Sequence, residues 1–230
     1  MHVVQSARLK SLSLSWIKNM PSSVFRSLSS DITMVKLHGF EVKNTAGFRR
    51  YSKGQSKRRL PQIKNLHYYD HDTGGLLAFR SFIFDFEQLQ FLHINWGNVP
   101  QFDSPEKSTA GLAQAILDGN LDGSLTALTI GLSHKTTSPT MPDPDEYDLF
   151  LGLIEEFELL AGKNAVKYLM VHFDTTQEAH DMLTGCLSRF DEVITREAFP
   201  RLERFDLEFW KSAGQSVTAF SAVECLRYQG

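Results

Sequence analysis

Hydrophobic positions along this chain recur in one short frame. Leu89-Gln90-Phe91-Leu92-His93-Ile94-Asn95-Trp96 is apolar at its first, fourth and sixth positions, the form L-x-x-L-x-L. In an extended strand successive side chains point to opposite faces. Positions four and six therefore share one face, and three, five and seven share the other. Six further segments keep the frame: Leu9, Leu12, Leu14; Ile32, Val35, Leu37; Ile63, Leu66, Tyr68; Leu125, Leu128, Ile130; Val166, Leu169, Val171; and Leu202, Phe205, Leu207. Apolar residues make up 42% of the chain, and at that frequency chance alone yields about seventeen such triplets. What separates these seven is spacing: consecutive starts lie 23 to 41 residues apart, each after a helix-like or turn segment. Periods in the twenties and thirties mark leucine-rich-repeat arrays, whose units bury their apolar faces by stacking on one another. The expected fold is α/β, a leucine-rich-repeat-like solenoid spanning residues 1–230 as one domain. It has a parallel sheet of about seven short strands on the concave face and helices on the convex face.

The segments between the strands carry the helix signals. Pro21 suits the first position of a helix over 21–28. Phe79, Phe82, Ile83 and Phe86 form a helical stripe over 76–87. A helix is predicted over 106–117. Another, over 145–161, has the stripe Leu149, Leu153, Phe157 and Leu160, acids in its first turns, and Gly162 and Asn164 beyond its end. Helices over 176–187, 191–199 and 216–227 complete the set, the last with no strand after it. Residues 43–61 read as a basic loop and 135–144 as a Thr/Ser/Pro loop. Asp118-Gly119-Asn120-Leu121-Asp122-Gly123 matches the first half of a calcium loop, but the twelfth position, where a bidentate acid is needed, is Thr129. A turn is the preferred reading.

Composition narrows the class. Only Cys186 and Cys225 are present, no N-x-[ST] site occurs, and neither a secretory apolar region nor a membrane-length apolar run is found. A reducing, cytoplasmic or nuclear location away from membranes is expected. Net charge is −3 but unevenly spread. Residues 1–67 hold thirteen Lys and Arg against two acids, a net +11, and the remainder holds eleven against twenty-five, a net −14. Arg49, Arg50, Lys53, Lys57, Arg58 and Arg59 concentrate the positive charge. They form the alternative interface, one for a polyanion such as nucleic acid. No nucleophile elbow, Walker A loop, dinucleotide glycine motif, H-E-x-x-H or C-x-x-C pair occurs. Binding rather than catalysis is expected, with no cofactor.

Two stretches carry a family resemblance. They are Ser11-Leu12-Ser13-Leu14-Ser15-Trp16-Ile17-Lys18-Asn19, and Phe190-Asp191-Glu192-Val193-Ile194 followed by Phe199-Pro200-Arg201-Leu202-Glu203-Arg204-Phe205. Both resemble the divergent F-box/leucine-rich-repeat proteins of mushroom-forming fungi. The resemblance implies the substrate-recruiting half of a ubiquitin-ligase adaptor and brings no catalytic residue with it. The chain departs from the family in having no F-box helices before its first repeat and no Asn at position nine of each repeat. A ligase scaffold is thus expected as a partner only through an upstream F-box.

The face opposite the apolar rows is where a partner, an unidentified protein or peptide, is expected. Reading positions three, five and seven along the repeats gives His67, Tyr69, Phe91, His93, Asn95, Tyr168, Met170 and His172 as candidate contacts. Aromatic and Met anchors within a polar surround are what protein interfaces use. If repeats three and four pair directly, His67 and His93 become neighbours, with His38 one strand away. No carboxylate or Cys at these positions completes a metal set, so no metal site is assigned. Histidines here make binding of a cationic partner weaken, and of an acidic partner strengthen, as pH falls toward 6.

Overall fold

All seven strands expected from the L-x-x-L-x-L frame form, and each pairs in parallel with the next. The computed structural model describes residues 9–17, 20–21, 28–39, 42–43, 63–70, 88–96, 109–120, 123–134, 150, 152–175, 187–211 and 215–221. In chain order the strands are β1 (Ser11–Ser15), β2 (Met20–Pro21), β3 (Met34–His38), β4 (Val42–Lys43), β5 (Asn65–Asp70), β6 (Phe91–Trp96), β7 (Ala127–His134), β8 (Tyr168–Thr175), β9 (Arg204–Lys211) and β10 (Gln215–Ser221). The main sheet runs β1-β3-β5-β6-β7-β8-β9-β10, and β2 pairs with β4 in a separate two-stranded sheet.

The register follows the repeat frame without a slip. Leu12, Val35, Leu66, Leu92, Leu128, Leu169 and Phe205 lie in one row, and Leu14, Leu37, Tyr68, Ile94, Ile130, Val171 and Leu207 in another. From β3 to β9 both rows are buried, while Leu12 and Leu14 on the edge strand are half-buried. Each fully buried side chain of this size contributes about 1.5–3 kcal/mol of transfer free energy. The rows extend beyond the predicted triplet, because Trp96, Leu132, Phe173 and Phe209 are buried two positions further along. That continuation is why β7, β8 and β9 reach eight residues each.

Three helices are described: α1 (Leu112–Gly119), α2 (Leu153–Leu160) and α3 (Ser188–Val193). They pack on the side of the sheet to which the apolar rows point. Phe150 meets Phe173 of β8 at 6.0 Å and Phe190 of α3 at 4.8 Å, and Phe190 meets Phe205 of β9 at 5.9 Å between ring centroids. Within the predicted stripe of α2, Leu153, Phe157 and Leu160 are all buried.

Several predicted boundaries are corrected. α1 and α2 start later than residues 106 and 145, because Gly111 and Gly152 hold φ of +79° and +86°, which a right-handed helix cannot include. α3 ends at Val193 rather than continuing to residue 199. Val193-Ile194-Thr195 is a β-branched run poor in helix propensity, and the Thr195 hydroxyl accepts the Ala198 N–H at 3.1 Å to form a turn instead. Pro21 opens no helix but lies in β2, and Lys43, assigned to the basic loop, lies in β4. The segment over 216–221 is not the start of a helix but belongs to β10, antiparallel to β9. Its Val217, Thr218 and Phe220 favour a strand, and only Ser212-Ala213-Gly214 separates it from β9, the length of a hairpin connection. At the half-match to a calcium loop, the described residues form the turn that the sequence favours. Asp118 and Gly119 belong to α1, and Asn120 Oδ1 accepts from Ser124 N at 2.9 Å, Leu125 N at 3.2 Å and Ser124 Oγ at 2.7 Å.

The helix predicted over 76–87, nearly all of that over 176–187, the Thr/Ser/Pro loop and the basic loop beyond Lys43 lie outside the described residues. No helix among the described residues is long and apolar enough to cross a membrane.

Candidate functional site

Odd positions of the repeat form three rows on the other face of the sheet. Row five reads Ser13, Lys36, His67, His93, Thr129, Met170, Asp206, and row seven reads Ser15, His38, Tyr69, Asn95, Gly131, His172, Glu208. Row three carries Phe91 beside Asn65 and Ala127, with Tyr168 next. Parallel neighbours in a row stand about 4.8 Å apart, so rings placed there must touch.

They do. His67 meets Phe91 at 5.1 Å and His93 at 5.4 Å, while His93 meets Tyr69 at 5.1 Å and His172 at 5.8 Å between centroids. Asn95 is hydrogen-bonded to His172 Nε2 at 3.2 Å. Six of the eight predicted contacts thus form one connected group. Met170 continues its row beyond Thr129, and Tyr168 is exposed. The Tyr168 hydroxyl donates to Glu203 Oε2 at 2.8 Å, and Lys167 Nζ donates to the other carboxylate oxygen at 2.7 Å. Both bonds hold the Glu203 carboxyl below its usual range.

Gly131 makes this packing possible. A Cβ there would lie 2.2 Å from His172 Nε2 and 2.9 Å from Asn95 Nδ2. The missing side chain leaves the space into which the His172 ring leans to reach His93 and Asn95.

Three residues outside the predicted set extend the group to both sides. His38 meets Tyr69 at 5.8 Å and Trp16 at 4.9 Å, and His172 meets Trp210 at 6.0 Å. A chain of ring contacts therefore runs Trp16, His38, Tyr69, His93, His172, Trp210 from β1 to β9. Alternation places Trp16 with the buried row, but its φ of +57° ends the strand and turns the ring onto the other face, 66% exposed. A left-handed backbone costs a residue with a Cβ on the order of 1–2 kcal/mol, and such strain clusters where function constrains the chain. Trp210 was missed because it lies at position nine, beyond the repeat window. The one available signal was its odd position in a strand long enough to continue.

Burial disfavours the charged form of His67, His93 and His172. Burial lowers His93 to about 4, with further lowering from His172, His67 and Lys36. Burial and then Lys36 lower His67. Burial also lowers His172, against the opposing pull of Glu208 and Asp174. His67 Nδ1 and His93 Nε2 are buried without a hydrogen-bond partner. Among the described residues no group of three or more His, Cys, Asp or Glu is arranged to hold a metal ion.

A pH effect on stability follows. A histidine lowered on folding binds fewer protons in the native than in the unfolded state, so its contribution is full above the unfolded value of about 6.5 and is lost as pH falls toward the folded value. For His93 the window runs from about 6.5 down to about 4. Discounted for the part of the ring that faces water, the loss is about 1–2 kcal/mol. Urea midpoints from pH 7.5 to 4.5 check this. His93→Gln should fall less steeply than wild type below pH 6.5, and parallel curves would contradict the assignment.

Of the alternative interface, Arg49, Arg50, Lys53, Lys57, Arg58 and Arg59 all lie outside the described residues. No family model matches the chain, and no curated protein or solved structure matches it, so the chemistry of this face rests on its own geometry.

Proposed function

We propose that the protein is a protein–protein interaction module that docks a partner segment on the exposed face of its parallel sheet. The observation that carries this reading is the chain of ring contacts crossing the sheet from Trp16 to Trp210. Rings with apolar faces and polar edges, set among Asn95, Thr129 and Met170, have the composition of interface anchors. The architecture that fits is a leucine-rich-repeat-like solenoid with this face concave and the helices convex. Support comes from the constant register of all seven repeats and from described helices that pack behind the apolar rows. On the resemblance to F-box/leucine-rich-repeat proteins, such a platform recruits substrate for a ubiquitin ligase, in the cytoplasm or nucleus.

Panning a phage-displayed random peptide library against the full chain tests the reading. Peptides retained by wild type should be lost on Phe91→Ala/Tyr168→Ala, kept on Arg58→Ala/Arg59→Ala, and little affected between 0.15 and 0.5 M salt. Binding lost only in the arginine pair, and falling steeply with salt, would transfer the function to the polyanion interface. Enrichment of no peptide would count against docking on this face.

A further inference from the structure

We propose that the row Lys36–His67–His93 seats an acidic side chain of the docked segment, so that partners are recognised by an Asp or Glu at this point. The inference rests on the docking function proposed above and names the chemistry of its ligand.

Three adjacent parallel strands bring the residues side by side: Lys36 pairs with His67 and His67 with His93. Lys36 is exposed, and no ion pair engages it among the described residues. Its charge bears on both imidazoles. The flanking rows over the same strands hold Met34, Asn65 and Phe91 on one side and His38, Tyr69 and Asn95 on the other, with no carboxylate. The nearest acid in the row is Asp206, three strands beyond His93 and already bonded to Arg204 Nε at 2.9 Å. Among the described residues, this part of the face therefore has a cation without an anion.

The imidazoles add the second observation. His67 Nδ1 and His93 Nε2 are polar atoms without partners, on adjacent strands in one row. A buried polar atom without a partner is disfavoured, and the two oxygens of a carboxylate match two such nitrogens once each carries a proton. Neighbouring rings pack against the two imidazoles, Tyr69 on His93 and Phe91 on His67. The acid meets Lys36 from solvent and seats as those rings turn aside.

Seating an acid here draws in protons. Among the described residues, the charged and titratable groups facing His93 are Lys36, His67, His172 and Tyr69, with no carboxylate, while Glu208 and Asp174 bear on His172. An incoming carboxylate thus adds a negative charge that no described residue supplies to the His67–His93 pair, and it favours their protonated forms. Affinity for an acidic ligand should rise as pH falls from 8 to 5.5, the direction set by proton uptake on binding.

The test uses nonapeptide pools with Asp, Asn or Lys fixed at the central position and the remaining positions drawn from Ala, Leu, Tyr and Ser. At pH 7 wild type should retain the Asp pool about fivefold more than the Asn pool and the Lys pool least, with the preference growing at pH 5.5. His93→Gln should remove the pH dependence. Lys36→Glu, on an exposed side chain that leaves folding intact, should reverse the order of the Asp and Lys pools. Equal retention of Asp and Asn pools, or a preference unchanged by Lys36→Glu, overturns this inference and leaves the docking face standing. Retention of no pool above the level of Phe91→Ala/Tyr168→Ala overturns both.

Discussion

Leu128→Asp is expected to unfold the protein. Leu128 is fully buried in β7, in register with Leu92 on one side and Leu169 on the other. A carboxylate there has no cation within its row, and it loses the packing of a buried leucine as well. Buried unpaired charge and lost apolar burial together exceed about 4 kcal/mol. Domains of this kind have only about 5–15 kcal/mol to lose. The paired control is Thr129→Asp, one residue further on and on the opposite, half-exposed face. It should change stability by less than about 1 kcal/mol. Because adjacent strand residues face opposite ways, the two variants together test the register itself. Far-ultraviolet dichroism melts and size-exclusion profiles of both decide the matter. A cooperatively melting Leu128→Asp, or an unfolded Thr129→Asp, would contradict the assignment of faces.

The parallel sheet was legible because its rows are written into the chain at period two. From Ile32 to Leu207 the first, fourth and sixth positions are apolar in every repeat, and one apolar face admits one register. The same frame placed His67 beside His93 and Phe91 beside His67, since neighbours in a parallel sheet follow once register is known. What could not be read depends on backbone departures and on contacts between distant segments. Trp16 joins the exposed face through one left-handed residue that alternation cannot anticipate. Gly131 looks like a weak strand residue until His172, on the next strand, leans into its space. The hairpin of β9 and β10 was hidden because Ser216 to Ser221 is short and lacks a strong periodic pattern, and pairing with β9 decides its conformation. Helix starts at Gly111 and Gly152 were misplaced because the acids ahead of them, and Glu155 and Glu156 within α2, fit a longer helix equally well.

Glu156 is the clearest case, and the second large effect is expected there. The pattern of the chain gives Glu156 no role, since only the acids in the first turns of the helix predicted over 145–161 are credited with favouring its dipole. In the structure Glu156 is only 5% exposed and turns toward α1. Its Oε1 accepts Gly111 N at 2.5 Å, and its Oε2 accepts Ala113 N at 2.7 Å. The residue preceding α1 is Gly111, which has no side chain with which to cap the helix. The first N–H groups of a helix have no partner within it, so a carboxylate from the next helix does the capping and ties α1 to α2. Glu156→Ala leaves the buried Ala113 N–H and the part-buried Gly111 N–H without their acceptors and should cost about 2–4 kcal/mol. Glu156→Gln should do little better, although it keeps the shape. One carboxamide oxygen can accept only on its own side, and the NH2 group on the other side faces a backbone N–H, donor against donor. Denaturant midpoints of the two variants check the argument. Both should fall substantially and by similar amounts, whereas a Glu156→Gln as stable as wild type would show that shape and packing, not two charge-assisted acceptors, hold these helices together.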